Sequence, residues 1–166
     1  MRTIISEKLP RIIKNKKKLE KILNIKITNR GKEVNIEGSP EDEYIAEKVI
    51  DAINFGFPFS YAVSIKKEEK EFEILNVKDY TTKQNYERIR GRIIGKEGKT
   101  LKTISNLTGC NLEINENKVG IIGNPELIKN AQDAIIEIVQ GSKQTNVYSR
   151  AERNKTPPIE DLGLRE

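Results

Sequence analysis

Gly95 and Gly98, with Lys96 and Glu97 between them and Lys99 and Thr100 after them, form the stretch of this chain best suited to hold an anion. Glycines let the backbone turn sharply and approach a ligand closely, because no Cβ stands in the way. A helix opening just after them offers exposed N–H groups beside Lys96 and Lys99, a site that favours phosphate. Gly98-Lys99-Thr100 also suggests a nucleotide-binding loop, which requires Gly-x-x-x-x-Gly-Lys-Ser/Thr between a strand and a helix. The first glycine of that motif would fall on Ile93, and the residues before it have helical rather than strand spacing. That reading fails on both counts.

Little else in the sequence offers reaction chemistry. Cys110 is the only cysteine and there is no histidine, so an internal disulfide, the usual zinc sites and imidazole catalysis are excluded. Cys110 reads as a buried structural thiol where a strand begins. Glu68 and Glu69 lie in the alternating run Lys66 to Glu71, which reads as a solvated turn rather than an acid/base pair. No cofactor or metal is called for, and an enzyme is not expected.

Charge placement points to a polyanion. The net charge is +5, but residues 1–32 carry 11 basic residues against 2 acidic ones. Residues 33–55 carry 1 against 7, and residues 83–108 carry 7 against 2. Both positive segments cover a helix–loop–helix pattern, which suits nucleic acid better than mere solubility. Apolar residues make up 36% and charged residues 33%, and no apolar run approaches the roughly 18 residues of a spanning helix. No apolar signal-peptide core is visible at the N-terminus, and a cytoplasmic protein without membrane attachment is expected.

The elements that must position the glycine loop follow from periodicity. Ile89, Ile93 and Ile94 predict a helix before it, and Leu101, Ile104 and Leu107 a helix after it. Beyond Gly109 the pattern turns strand-like at Leu112 and Ile114, then at Val119, Ile121 and Ile122. A closing helix starts at Asn124-Pro125-Glu126 and carries Leu127, Ala131, Ala134, Ile135 and Ile138 on one face, up to Gly141. This succession, with Ile93-Ile94-Gly95-Lys96-Glu97-Gly98-Lys99-Thr100 at its centre, resembles a KH domain. In KH domains the glycine loop clamps about four nucleotides of single-stranded backbone.

The first third of the chain repeats the same order. A strand at Thr3–Ser6 and a helix from Pro10 lead to Leu19, Ile22 and Leu23 at helical spacing. Two strands follow around an Asn29-Arg30-Gly31 turn, and then a helix capped by Ser39 with Ala46, Val49, Ile50 and Ile53 on one face. Arg11-Ile12-Ile13 aligns with Arg92-Ile93-Ile94, Gly38-Ser39-Pro40-Glu41 with Gly123-Asn124-Pro125-Glu126, and Ala46 with Ala131. The first copy has Lys14 and Lys17 where the second has its glycines. Lys14, Lys16, Lys17 and Lys18 either touch phosphate without selectivity or form a solvated loop, and the two readings stand level.

The expected fold is α+β, with two tandem type I-like KH domains, each a three-stranded antiparallel sheet packed against three helices. The expected division is a degenerate domain at 1–55, a junction at 56–71, a KH domain at 72–141 and a tail at 142–166. In the junction, Phe55, Phe57, Phe59 and Tyr61 are too apolar for a flexible linker and predict packing between the units. The tail is expected to dock to about Arg153 and to be disordered beyond it.

In the second unit the RNA groove is expected between the glycine loop, its two helices and the strand near Leu112 and Ile114. Backbone amides of Gly95 to Gly98 would hold phosphates, and Arg92, Lys96, Lys99 and Lys102 would supply charge. Ile93, Ile94 and Ile114 would floor the groove, with one of the two adjacent isoleucines facing the core. Glu97 and Thr100 complete the candidate set. Aspartates at both Gly95 and Gly98 are expected to abolish RNA binding with the fold intact.

A closer resemblance spans nearly the whole chain. The degenerate KH unit, Phe55-Gly56-Phe57, Ile74-Leu75-Asn76-Val77-Lys78, the Gly95 region and Val147-Tyr148 together resemble archaeal relatives of Partner of Nob-one, a family of small-subunit ribosome assembly factors. The resemblance implies binding to the 3′ end of small-subunit rRNA, contact with the endonuclease that matures it, and contact with the alpha subunit of archaeal initiation factor two. The lack of an extended acidic N-terminal region fits an archaeal member. A general KH adaptor in RNA processing, decay or translation and a protein-interaction scaffold stay open as alternatives. A nuclease or NTPase is disfavoured, because no P-loop, histidine or clustered acidic motif supports it.

Overall fold

The computed structural model describes residues 1–155, and the disorder expected toward the C-terminus concerns residues mostly outside that range. Two three-stranded antiparallel sheets are present, each covered by helices, in the expected α+β arrangement. The first unit runs β1 (Arg2–Ile5), α1 (Leu9–Lys14), α2 (Lys16–Leu23), β2 (Lys26–Arg30), β3 (Glu33–Glu37) and α3 (Pro40–Phe55). After α4 (Phe59–Lys67) the second unit runs β4 (Glu71–Asn76), α5 (Tyr86–Ile94), α6 (Lys99–Thr108), β5 (Asn111–Asn115), β6 (Lys118–Gly123), α7 (Pro125–Val139) and α8 (Gln144–Asn154).

The sheet orders are β1-β3-β2 and β4-β6-β5, so the internal repeat is topological as well as sequential. In each sheet the last strand lies in the middle and is antiparallel to both neighbours. Aligned positions have the same environment: Ala46 and Ala131 are both fully buried at the helix–sheet contact. Ser39 caps α3 by accepting from the Asp42 N–H at 3.1 Å, with Pro40 in the first turn. Its predicted apolar face, Ala46, Val49, Ile50 and Ile53, is buried throughout. The β2–β3 turn falls one residue later than expected, at Gly31 and Lys32, because Arg30 still pairs with Glu33.

Each unit gains a fourth helix. Pro58 starts α4 after Gly56 has ended α3, and Ala62, Val63 and Ile65 are buried where it packs on α2, α3 and β6. At the other end, α8 buries Val147 and Ala151, one turn apart, against α6 and α7. Two small apolar anchors in a polar segment make a weak periodic signal, which is why the sequence read as a tail. Arg150 also donates to Glu137 at 2.8 Å, and Asn130 donates to the Ala151 carbonyl at 3.1 Å.

The phenylalanine junction is a packing centre. Phe55, Phe57 and Phe72 pack with ring centroids 5.7–6.0 Å apart, two of the three pairs edge to face. Phe57 is fully buried, and Phe72 and Ile122 of the second sheet belong to the same apolar cluster as the first unit. Asn115 in β5 donates to the Phe55 carbonyl at 3.0 Å. The two units therefore share a core through the face of the second sheet that its own helices leave uncovered.

One half-buried carboxyl affects stability. On α3, burial and the neighbouring Glu47 push the Asp51 pKa up to about 6, against a weaker pull from Lys48. Between its ordinary value of 3.8 and about 6 the folded chain holds a proton that the unfolded chain has lost. Stability therefore falls as pH rises through that window. Asp51→Asn is expected to raise Tm at about pH 8 and to leave it unchanged at about pH 4, measured by thermal melts at both.

Candidate nucleic-acid interface

The carboxyl end of α5 and the amino end of α6 meet at the glycine loop. Gly95 has φ +77° and donates its N–H to the Gly91 carbonyl at 2.8 Å, closing α5. Lys96–Gly98 make a single 3₁₀ turn, with Glu97 at φ +57° and Gly98 at φ +75°. Three of four consecutive residues are thus left-handed, a path that two glycines make accessible. Among the described residues, the amides of Lys96 and Glu97 find no backbone acceptor. They project beside Lys96, Lys99 and Lys102, which are all exposed and make no ion pair within the described residues. Lys99 and Lys102 are one turn apart on α6, so the turn presents amides and unneutralised positive charge together.

The opposite wall is β5, an edge strand of its sheet. Helix α6 packs along it, and Leu112 and Ile114 are half-buried against the second core. Ile94 is also half-buried, so Ile94 and Ile114 keep apolar surface available at the two sides of the groove. Edge-strand N–H and C=O groups on the outer side of β5 are unpaired by the sheet and suit base edges.

Four candidate residues have other duties. Ile93 is fully buried beneath α5 and is core, which decides which of the two adjacent isoleucines faces inward. Thr100 is also buried, and its hydroxyl occupies the space under Gly95, where a Cβ would lie only 2.1 Å from it. Arg92 turns away from the loop and donates to the Ile138 and Ser142 carbonyls, both at 2.5 Å. In the first unit Lys16 is half-buried.

The structure also changes the expectation for paired glycine mutants. Gly98 has nothing within 4 Å of an added Cβ, whereas at Gly95 a Cβ would collide with Thr100 side-chain and backbone atoms at 2.1–2.6 Å. A side chain at Gly95 therefore disturbs the α5–α6 junction itself and does not leave the fold intact.

The first unit has no such loop. Helices α1 and α2 are separated by Asn15 alone, whose N–H donates to Ile12 and whose carbonyl accepts from Leu19. The junction contains no positive-φ residue. Lys14, Lys17 and Lys18 are exposed on the outer face, and Lys21, one turn beyond Lys17, joins them. Lys21 was legible from the i, i+4 spacing once the helix was assigned.

The loop geometry, the β1-β3-β2 strand order and its repetition are those of type I KH modules. A family model for the second KH domain of PNO1, described as a eukaryotic-type KH domain of type I, matches residues 71–156. The chain belongs to the PNO1 family. That match extends through α8, in keeping with the helix's place in the second core. A KH domain-containing protein of Methanocaldococcus jannaschii is 31% identical over 147 residues, covering 84% of this chain and 65% of that protein. The RNA-binding protein pno1 of Dictyostelium discoideum is 31% identical over 109 residues, covering 63% of this chain and 45% of its own length. The chain thus spans about half to two thirds of the length of these curated relatives. Among solved structures, Dim2p of Pyrococcus horikoshii, crystallised with a/eIF2alpha and rRNA, superposes with a TM-score of 0.82 at 31% identity over 93% of each chain. An Aeropyrum pernix protein superposes at 0.84 with 27% identity, covering 93% of this chain and 89% of that one.

Every described helix is too short or too polar to cross a membrane.

Proposed function

We propose that this chain is a single-stranded RNA-binding protein of small ribosomal subunit biogenesis, gripping the 3′ end region of small-subunit rRNA through its second unit. The observation that carries the reading is the Gly95–Gly98 turn, where among the described residues the Lys96 and Glu97 amides have no backbone acceptor and the exposed Lys96, Lys99 and Lys102 make no ion pair. Lys96, Lys99 and Lys102 hold phosphates, Gly95, Glu97 and Gly98 shape the turn, and Ile94 and Ile114 receive bases. Lys14, Lys17, Lys18 and Lys21 of the first unit add phosphate contacts of lower selectivity. Family membership supports the process, because relatives are named as RNA-binding and pre-rRNA-processing proteins. The rRNA complex of the Pyrococcus relative supports the target class.

Partner proteins belong to the same proposal. The Pyrococcus relative was crystallised with a/eIF2alpha, which supports the alpha subunit of archaeal initiation factor two as a partner. Contact with the rRNA-maturing endonuclease rests on the family resemblance alone.

The test is a binding titration at two salt concentrations, using a strand matching the small-subunit rRNA 3′ end and a scrambled strand of equal composition. Selective binding to the native strand that persists at the higher salt is expected. Equal, weak binding to both strands that collapses with salt would mean that charge alone acts, and would sink the rRNA assignment.

A further inference from the structure

Arg11 and Arg92 occupy aligned positions in the internal repeat, each followed by two isoleucines. They make the same pair of bonds. Arg11 donates to the Ile53 carbonyl at 3.4 Å and to the Phe57 carbonyl at 2.8 Å. Arg92 donates to the Ile138 and Ser142 carbonyls. In both units the two acceptors are four residues apart: the first lies in the last turn of the long helix, α3 or α7, and the second in the segment just beyond it. Each helix carbonyl already accepts one backbone N–H, from Gly56 or Gly141, and its second lone pair faces the arginine, so a forked guanidinium ties the end of the helix to the segment that follows it.

The first unit acts as an internal control. It has lost the glycine loop but keeps the arginine and both of its bonds. The bond pattern is therefore independent of any ligand at the loop. What differs is the cargo: α1 leads through Asn15 straight into α2, whereas α5 leads into Gly95–Gly98.

Resting on the reading that this loop grips RNA, we infer that Arg92 is a positioning residue for RNA binding and not a phosphate contact. A turn containing two glycines has little stiffness of its own, so its direction must come from the helices that flank it. Arg92 lies in the last turn of α5, three residues ahead of Gly95. By tying that turn to the carboxyl end of α7 it sets where the Lys96 and Glu97 amides point.

The experiment uses the full chain with Arg92→Gln, Arg92→Lys and Arg11→Lys, at a temperature where circular dichroism shows all of them folded. The probe is a six-nucleotide single strand from the small-subunit rRNA 3′ end, titrated across a salt series, with amide NMR shifts recorded on the free proteins. Both Arg92 variants are expected to lose about tenfold in affinity with an unchanged salt slope. Lysine is not expected to rescue, because its single ammonium lacks the planar fork that aims two separate N–H donors at the two carbonyls. The Lys96–Lys99 amide resonances should move in both Arg92 variants and stay in place in Arg11→Lys, whose affinity stays within about twofold.

A salt slope shallower by about 0.7 in Arg92→Gln, with rescue by lysine, would make Arg92 a phosphate contact and overturn the inference. Equal effects of Arg11→Lys and Arg92→Lys on the loop resonances would reduce both to general fold stability. Unmoved resonances in all three would also overturn it. The resonances of the free protein test the latch even if the loop variant Lys96→Asp with Glu97→Asp leaves RNA affinity unchanged, a result that would count against the RNA site alone.

Discussion

Lys96→Asp together with Glu97→Asp is expected to lower affinity for single-stranded RNA by about 100-fold and to leave the melting temperature within about 2 °C of the parent. The loss follows from removing one charge-assisted phosphate bond and adding a second carboxylate, at position 96, beside the one that position 97 already carries, on the order of 3 kcal/mol together. The fold is spared because both side chains are exposed and both glycines stay in place. Aspartate is among the residues that tolerate the left-handed conformation found at position 97, where φ is +57°. Gly95→Ala makes the contrasting arm. Its Cβ meets Thr100 at 2.1–2.6 Å, so it should lose stability and affinity together. Fluorescence anisotropy with a short labelled strand and calorimetric melts read both quantities. Parent-like RNA affinity in the double aspartate variant would show that the loop is not the grip.

Phe57→Ala is expected to destabilise the chain by about 3–5 kcal/mol, the range for removing a fully buried aromatic ring. Phe57 has no exposed surface and touches both units through Phe55 and Phe72. Gly120→Val tests the same contact from the other side. Valine favours strands in general, yet a Cβ at Gly120 would lie 2.7–2.9 Å from the Phe55 and Phe57 rings. Overpacking there should cost about 2 kcal/mol. Urea denaturation measures both. If Gly120→Val were stabilising, as strand propensity alone predicts, the rings would not be seated on β6.

The sequence carried the architecture through local patterns that leave few choices. Gly95 and Gly98 between two helical periodicities, the strand alternation from Leu112 to Ile122, and the Ser39-Pro40 and Asn124-Pro125 helix starts all express backbone preferences that act within a few residues. Repetition of that order disclosed two units of the same kind. The phenylalanine-rich junction could be recognised as packing because so much apolar surface has no other stable place.

Other features were decided by residues far apart in the chain. Helix α8 has only two buried apolar anchors and α4 is nine residues long, so their stability comes from surfaces supplied by α6 and α7 or by α2, α3 and β6. Arg92 reads as a phosphate ligand beside a glycine loop, and only the approach of residues 138–142 shows that its guanidinium is already engaged. Ile93 and Ile94 are indistinguishable in composition, but a rotation of about 100° per residue sends one into the core and leaves the other at the groove. Gly95 and Gly98 look equivalent in the sequence. The fold separates them, because Thr100 fills the space beside one and the other faces open solvent. Periodicity and turn chemistry are local and can be read along the chain, whereas burial, collision and hydrogen-bond commitment depend on which surfaces meet, and that is settled only when the helices and sheet of each unit pack together.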